Sequence, residues 1–233
     1  MKKMILSAAL VLASTAAMAQ SGTFQLKANL KNMGDTIIVY KGRGEKRDTI
    51  LVKKDKFTYS ATLTQPKEMM FAQPAIFRGG RAEAFYLVCV PGETAEVVGD
   101  LKAKFDIKGS NFYKQFAEVD AMKDEADKEL ADFEKSINEK MKNGGDREAL
   151  MKEYEEKAPA LTKVKEEKML AFIGQHPDYE ASATLIGEMS SCENMQKAVD
   201  MLSAQVKNGR MKAFYEPIVE RAKKQAEMEE KAK

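Results

Sequence analysis

Thiols, imidazoles and paired carboxylates are the side chains best able to do chemistry near neutral pH, and this chain is sparing with the first two. Its 233 residues hold two cysteines, Cys89 and Cys192, and one histidine, His176. The cysteines do not form a Cys-x-x-Cys pair, so the chain alone lacks the means for dithiol exchange of the thioredoxin kind. In an exported protein they could join into a disulfide or stay as free thiols. Cys89 sits in the middle of an apolar run, where inert buried thiols are common. His176 stands between Gly174, a helix stop, and Pro177. One imidazole does not make a zinc site, and no nucleophile-elbow sequence accompanies it, so it reads as a loop or capping residue.

The remaining candidates also read as structural. Glu155-Glu156 and Glu166-Glu167 fall on charged helix faces, where solvation accounts for them. Gly42-Arg43-Gly44 and Gly79-Gly80 lack the Lys-Ser/Thr ending of a phosphate-binding loop and are turn residues. The 15 methionines occupy stripe or strand positions and look like core filler. No residue is assigned a catalytic, cofactor-binding or metal-ligating role, and no cofactor is expected.

These residues must be positioned by two halves of different periodicity. From residue 23 to 108 apolar and polar residues alternate, as in half-buried strands. Phe24, Leu26, Ala28 and Leu30 share one face. Further strands are expected around Ile37 and Val39, at residues 49–52, at Phe57, Tyr59, Ala61 and Leu63, at 85–90, at 94–98, and at Phe105 with Ile107. Pro74 marks an edge position or a bulge. Seven or eight short strands at this spacing predict an antiparallel β-sandwich or open barrel. From Asn111 the period becomes helical: Phe112, Phe116, Val119, Ala126, Leu130, Phe133, Ile137 and Met141 form a seam interrupted by Lys123. Gly144-Gly145 ends this helix, Asp146 can N-cap the next, and the two should form a long helical hairpin. Pro159 is expected to kink or split the second helix. Shorter helices follow, one starting at a capping box made by Ser190 and Glu193. The fold class is therefore α+β, with a leader at 1–19, a β domain at 20–109 and an α-helical domain at 110–233.

The leader is read from MKKMILSAALVLASTAAMAQ. Lys2 and Lys3 precede a short apolar stretch, and Ala17-Met18-Ala19 offers small residues at the −3 and −1 positions, so cleavage is expected between Ala19 and Gln20. The apolar stretch is shorter than the roughly 20 residues needed to span a bilayer. The mature chain is expected in the periplasm, without a membrane span. With 44% hydrophobic and 32% charged residues, 14 Gly and 6 Pro, the composition excludes collagen, low-complexity disorder and a polytopic membrane protein. The mature chain has 36 basic and 36 acidic residues, which excludes a strongly basic nucleic-acid binder. The charge is unevenly split, with 15 basic and 10 acidic residues in 20–108 against 21 and 26 in 109–233. An anion-binding β domain, halves that dock on one another, or scattered surface charges that do not balance would each give this split, and the lack of a Lys/Arg cluster combined with stacking aromatics favours the last two.

Several segments together resemble a known family. FQLKANLKNMGDTIIVY (24–40), VKKDKFTYSATL (52–63), FYLVCVPGETAEVVGD (85–100), DIKGS (106–110) and FIGQHPDYEASATLI (172–186) are similar to the domain-of-unknown-function 4369 family of Bacteroidota. Asp55 stands where the family's hairpin glycine would be. The resemblance implies an envelope module that often precedes a thioredoxin-like domain, here without that domain. The expected function is a non-enzymatic binding or interaction module, with an unknown envelope protein or a small ligand as partner. A homodimer through the helical hairpin is a further option. The alternative is an accessory role in envelope thiol-disulfide chemistry, through Cys89 or Cys192 and a separate thioredoxin-like protein. Intact mass under non-reducing conditions separates the states: a chain starting at Gln20 with two alkylatable thiols is the free-thiol outcome, and a chain that takes up no alkylating agent is the disulfide outcome.

Overall fold

A computed structural model describes residues 21–231. The expected leader, with its cleavage point at Ala19 and Gln20, lies outside the described residues. Eight strands come first: β1 (Gly22–Lys31), β2 (Thr36–Tyr40), β3 (Asp48–Leu51), β4 (Lys56–Leu63), β5 (Lys67–Ala72), β6 (Ala84–Cys89), β7 (Thr94–Asp100) and β8 (Phe105–Gly109). They form two four-stranded sheets, ordered β4-β1-β7-β8 and β3-β2-β5-β6. Along β1 the alternation works as read: Phe24, Leu26, Ala28 and Leu30 are buried, and the residues between them face water. The sheets meet through rings, with Phe57 6.4 Å from Phe71 and Phe85 5.8 Å from Phe105.

The strands are not all antiparallel. β1 and β7 pair in parallel, from Gln25 opposite Thr94 to Lys31 opposite Asp100. Parallel neighbours need a crossover, and here the whole second sheet, with β4, lies within it, since β2 to β6 all fall between β1 and β7. Alternation within a strand carries no information about that path. Pro74 also departs from expectation: β5 lies inside its sheet, between β2 and β6, and Pro74 opens a short 3₁₀ turn (Pro74–Arg78) just beyond the strand. Its missing N–H is harmless in the first turn of a helix. At the β3–β4 corner Lys54 and Asp55 both have positive φ, 52° and 60°. Lys53 and Lys56 exchange backbone hydrogen bonds of 2.9 and 3.0 Å around them. Two left-handed residues are what a two-residue hairpin requires, so Asp55 takes the conformation a glycine would have supplied.

The helices are α1 (Asn111–Lys142), α2 (Arg147–Gln175), α3 (Cys192–Met201), α4 (Ala204–Lys207) and α5 (Lys212–Lys231), with a 3₁₀ segment at Glu180–Glu188. The α1–α2 hairpin is about 45 Å long at 1.5 Å per residue. Asp146 caps α2 as expected, accepting from the N–H groups of Glu148 and Ala149 at 2.9 and 3.4 Å. Pro159 does not split α2. It lies on an exposed turn, so the carbonyl it leaves without an N–H partner is open to water. The cap of α3 is Ser191 rather than Ser190, with its Oγ accepting from Asn194 N–H at 3.1 Å. Glu166 is the cause. Its carboxylate turns inward, is only 3% exposed, and accepts from Ser190 N–H and Asn194 Nδ2. A residue read as a solvated acid therefore anchors the start of α3.

The buried side chains form one cluster that continues from both sheets into α1, α2, α3, α5 and the 3₁₀ segment. Tyr113, fully buried in the first turn of α1, donates its hydroxyl to Val88 O at 2.7 Å, satisfying a carbonyl of edge strand β6. A polar fork closes the same junction. Arg210, in the turn between α4 and α5, donates Nε to both Glu180 oxygens at 3.1 Å and Nη1 to Pro91 O at 3.0 Å. Its Nη2 reaches Glu180 and Glu93. Glu93 is 8% exposed and also accepts from Ser110 Oγ and Phe112 N–H. Burial pushes the Glu93 carboxyl up, but the bonds from Ser110 and Arg210 outweigh it and hold it below the ordinary value.

Removing Arg210 leaves Glu93 buried without its cation. Arg210→Ala is expected to cost about 3 kcal/mol in urea unfolding, with part of it recovered when Glu93→Gln is added. Because the folded carboxyl is depressed, its contribution is present above the ordinary carboxylate range, near pH 4.5, and is lost as pH falls through the lower folded value. The wild-type chain should therefore lose stability more steeply in acid than Glu93→Gln, and parallel pH profiles would contradict this.

Candidate functional site

The cleft with the most varied chemistry lies where the sandwich meets the helices. It encloses about 590 Å³. Edge strands β6 and β8 supply Tyr86, Val88, Phe105 and Ile107, and α1 supplies Phe116, Asp120, Lys123 and Asp124. Glu68 comes from β5, Thr184 and Glu188 from the 3₁₀ segment, and Phe214 from α5. The strand pattern explains half of this wall. Phe85, Leu87 and Cys89 point into the sandwich, so Tyr86 and Val88, on the other face of β6, look toward the helices. Tyr86 is 60% exposed, unusual for so large a ring. Phe105, Phe116 and Phe214 are partly buried against the core at the back of the cleft.

Charge in the cleft is unevenly satisfied. Lys104 pairs with Asp124 at 3.3 Å, and Lys123 pairs with Glu188. The lysine that interrupts the apolar seam of α1 thus reaches out to pin the end of the 3₁₀ segment. Glu68 and Asp120 have no hydrogen-bond or ion-pair partner among the described residues. Partial burial and the nearby Glu188 carboxylate raise the Glu68 carboxyl above its usual range. Burial, followed by the Asp124 charge, raises Asp120. The Thr184 hydroxyl is used internally, donating to Ala181 O at 2.7 Å. No serine, cysteine or histidine lines the cleft.

The residues singled out in the sequence lie elsewhere and are not brought together. Cys89 is buried in β6, with its Sγ 3.6 Å from Leu87 O, and burial pushes its thiol far above the ordinary range. A thiol so disfavoured as thiolate is a poor nucleophile. Cys192 is the half-buried first residue of α3, and both cysteines are free. His176 ends α2, its ring held between Phe172 and Tyr179 at 4.5 and 4.6 Å, while its carbonyl accepts from Ser182 Oγ at 3.1 Å. It is a capping residue. Among the described residues no three His, Cys, Asp or Glu side chains gather as metal ligands, and no helix is long and apolar enough to cross a membrane.

Sequence reasoning did not single out Glu68, Tyr86 or Asp120. The one available signal was Lys123, a charge at a seam position, which marked where α1 turns toward something other than α2. Comparison with family models, with curated proteins and with solved structures returns no match.

A raised carboxyl pKa means that the folded state resists ionisation at that site. Stability is therefore lost as pH rises from the ordinary carboxylate range through the folded value. Asp120→Asn is expected to raise the melting temperature at pH 7, with the gain disappearing at or below about pH 4. A lower melting temperature for the variant at pH 7 would show that the Asp120 charge has a partner.

Proposed function

We propose that this chain is a non-enzymatic binding module of the bacterial envelope, exported by its leader, and that the cleft between β6, β8 and α1 holds a small amphipathic ligand with a cationic group. The observation that carries this reading is the pairing pattern in the cleft. Both cleft lysines are already paired with other carboxylates, and although Lys123 is near both acids, Glu68 and Asp120 face the space with no cation in contact, beside Tyr86 and three phenylalanines. An ammonium or guanidinium group would relieve the two carboxylates, and an apolar or aromatic body would cover the rings. The volume suits a molecule of modest size. The periplasmic location rests on the leader, and the kinship with the domain-of-unknown-function 4369 family rests on the segments quoted above.

The test is calorimetry with three probes of one shape: phenethylammonium, its neutral alcohol 2-phenylethanol and the anion phenylpropionate. Binding of the cation alone is expected, weakened about tenfold or more by Glu68→Gln or Asp120→Asn, and also by Phe116→Ala. Equal heats from cation and anion, or cation binding unchanged in both carboxylate variants, would overturn the reading.

A further inference from the structure

A second feature lies on the outer face of the second sheet, where the β5–β6 connection, which leaves the sheet at the opposite end from the β2–β3 loop, folds back as far as Tyr40. The β2–β3 loop (41–47) and the β5–β6 connection (73–83) are locked together by stacking. The Arg47 guanidinium carbon lies 4.1 Å over the Phe77 ring and 5.7 Å from the Tyr40 ring, and the two rings are 6.2 Å apart. Two ion pairs beside the β2–β3 loop cancel: Lys41 with Asp48 at 3.1 Å, and Lys67 with Glu45. Arg43, Lys46, Arg47, Arg78 and Arg81 are all exposed and have no carboxylate partner among the described residues. Glu83 is the one further acid in these loops. The two connections therefore carry a net +4, most of the +5 of the whole β half.

We propose that the basic surface formed by these two connections docks on a membrane surface through anionic lipid headgroups. Its shape favours a flat partner over a peptide. The basic residues sit on two loop tips, and a side chain added at Gly44 or Gly79 would meet nothing within 4 Å, as expected of projecting turns rather than groove walls. A cluster of four to eight basic residues at a surface is what attracts an anionic leaflet, each adding roughly fivefold to partitioning. The Arg47 stack joins the two connections, so their charges lie close enough together to add. Phe77 and Ile76, half-buried beside them, place apolar atoms at the same level. The proposal is independent of the cleft.

Co-sedimentation of the mature protein with vesicles tests it. Binding is expected to vesicles in which about one-third of the phosphatidylcholine is replaced by phosphatidylglycerol, with none to pure phosphatidylcholine and a loss at about 0.5 M salt. Arg43→Gln with Lys46→Gln, and separately Arg78→Gln with Arg81→Gln, should each lower the partition coefficient about tenfold or more, and the four together about 100-fold or more. These substitutions spare the Arg47 stack, and unchanged melting curves would show that the fold is intact. Lys53→Gln, Lys54→Gln and Lys56→Gln, at the other end of β3, should change partitioning no more than a few-fold. The proposal is overturned by equal binding to neutral vesicles, by no binding to either kind, or by an equal loss in the lysine control. It is also overturned if soluble polyglutamate or inorganic phosphate competes fully at the charge concentration of the vesicles, because a surface-specific contact should outlast them.

Discussion

The polar contact that ties the helical side of this molecule to the sheets is centred on one guanidinium. Arg210 touches the β6–β7 turn at Pro91 and Glu93 and the 3₁₀ segment at Glu180, and through Glu93 it reaches Ser110 and Phe112 at the start of α1. Arg210 and its partners Pro91 and Glu93 lie more than a hundred residues apart in the chain. Such a buried ion pair is weak as a source of net stability, because desolvation offsets much of the attraction. Its effect is on geometry. The planar fork accepts few arrangements of its two carboxylates, so the entry angle of α1 and the seat of α5 are set together.

The cleft follows from that geometry. α1 leaves the sandwich at Ser110, buries Tyr113 against β6, and passes along the open side between the edge strands β6 and β8. The apolar stripe of its first turns closes most of that side. Where the stripe turns away, the polar residues Asp120, Lys123 and Asp124 come to face Tyr86 and Phe105 across a gap. The cleft is thus what remains when a helix covers two edge strands without filling the corner between them. Its charge pattern is the consequence of an exposed helix face meeting an aromatic strand face.

Net charge is a poor guide to this protein. Residues 20–233 sum to zero, yet positive charge is concentrated on two loops of the sandwich and negative charge on the helices. At physiological ionic strength fields fade over about 8 Å, so a partner responds to the local end of the molecule and not to the total. The helical hairpin satisfies much of its own charge, as in Lys165 with Asp127 at 2.6 Å and Lys140 with Glu153 at 3.2 Å. The loop tips do not.

The periodicities alone determined the order of strands then helices, the buried face of β1, the hairpin of α1 and α2, and the cap at Asp146, because each depends on residues within a few positions of one another. His176 as a cap was legible for the same reason. What depends on distant partners was not. The parallel pairing of β1 with β7, the inward turn of Glu166, the shift of the α3 cap to Ser191 and the seat of Pro74 just outside β5 were decided by neighbours far along the chain. The cleft belongs to this second group: Glu68, Tyr86, Asp120 and Phe214 lie on four different elements, and strand pairing with the packing of helices on sheets brings them to face one another.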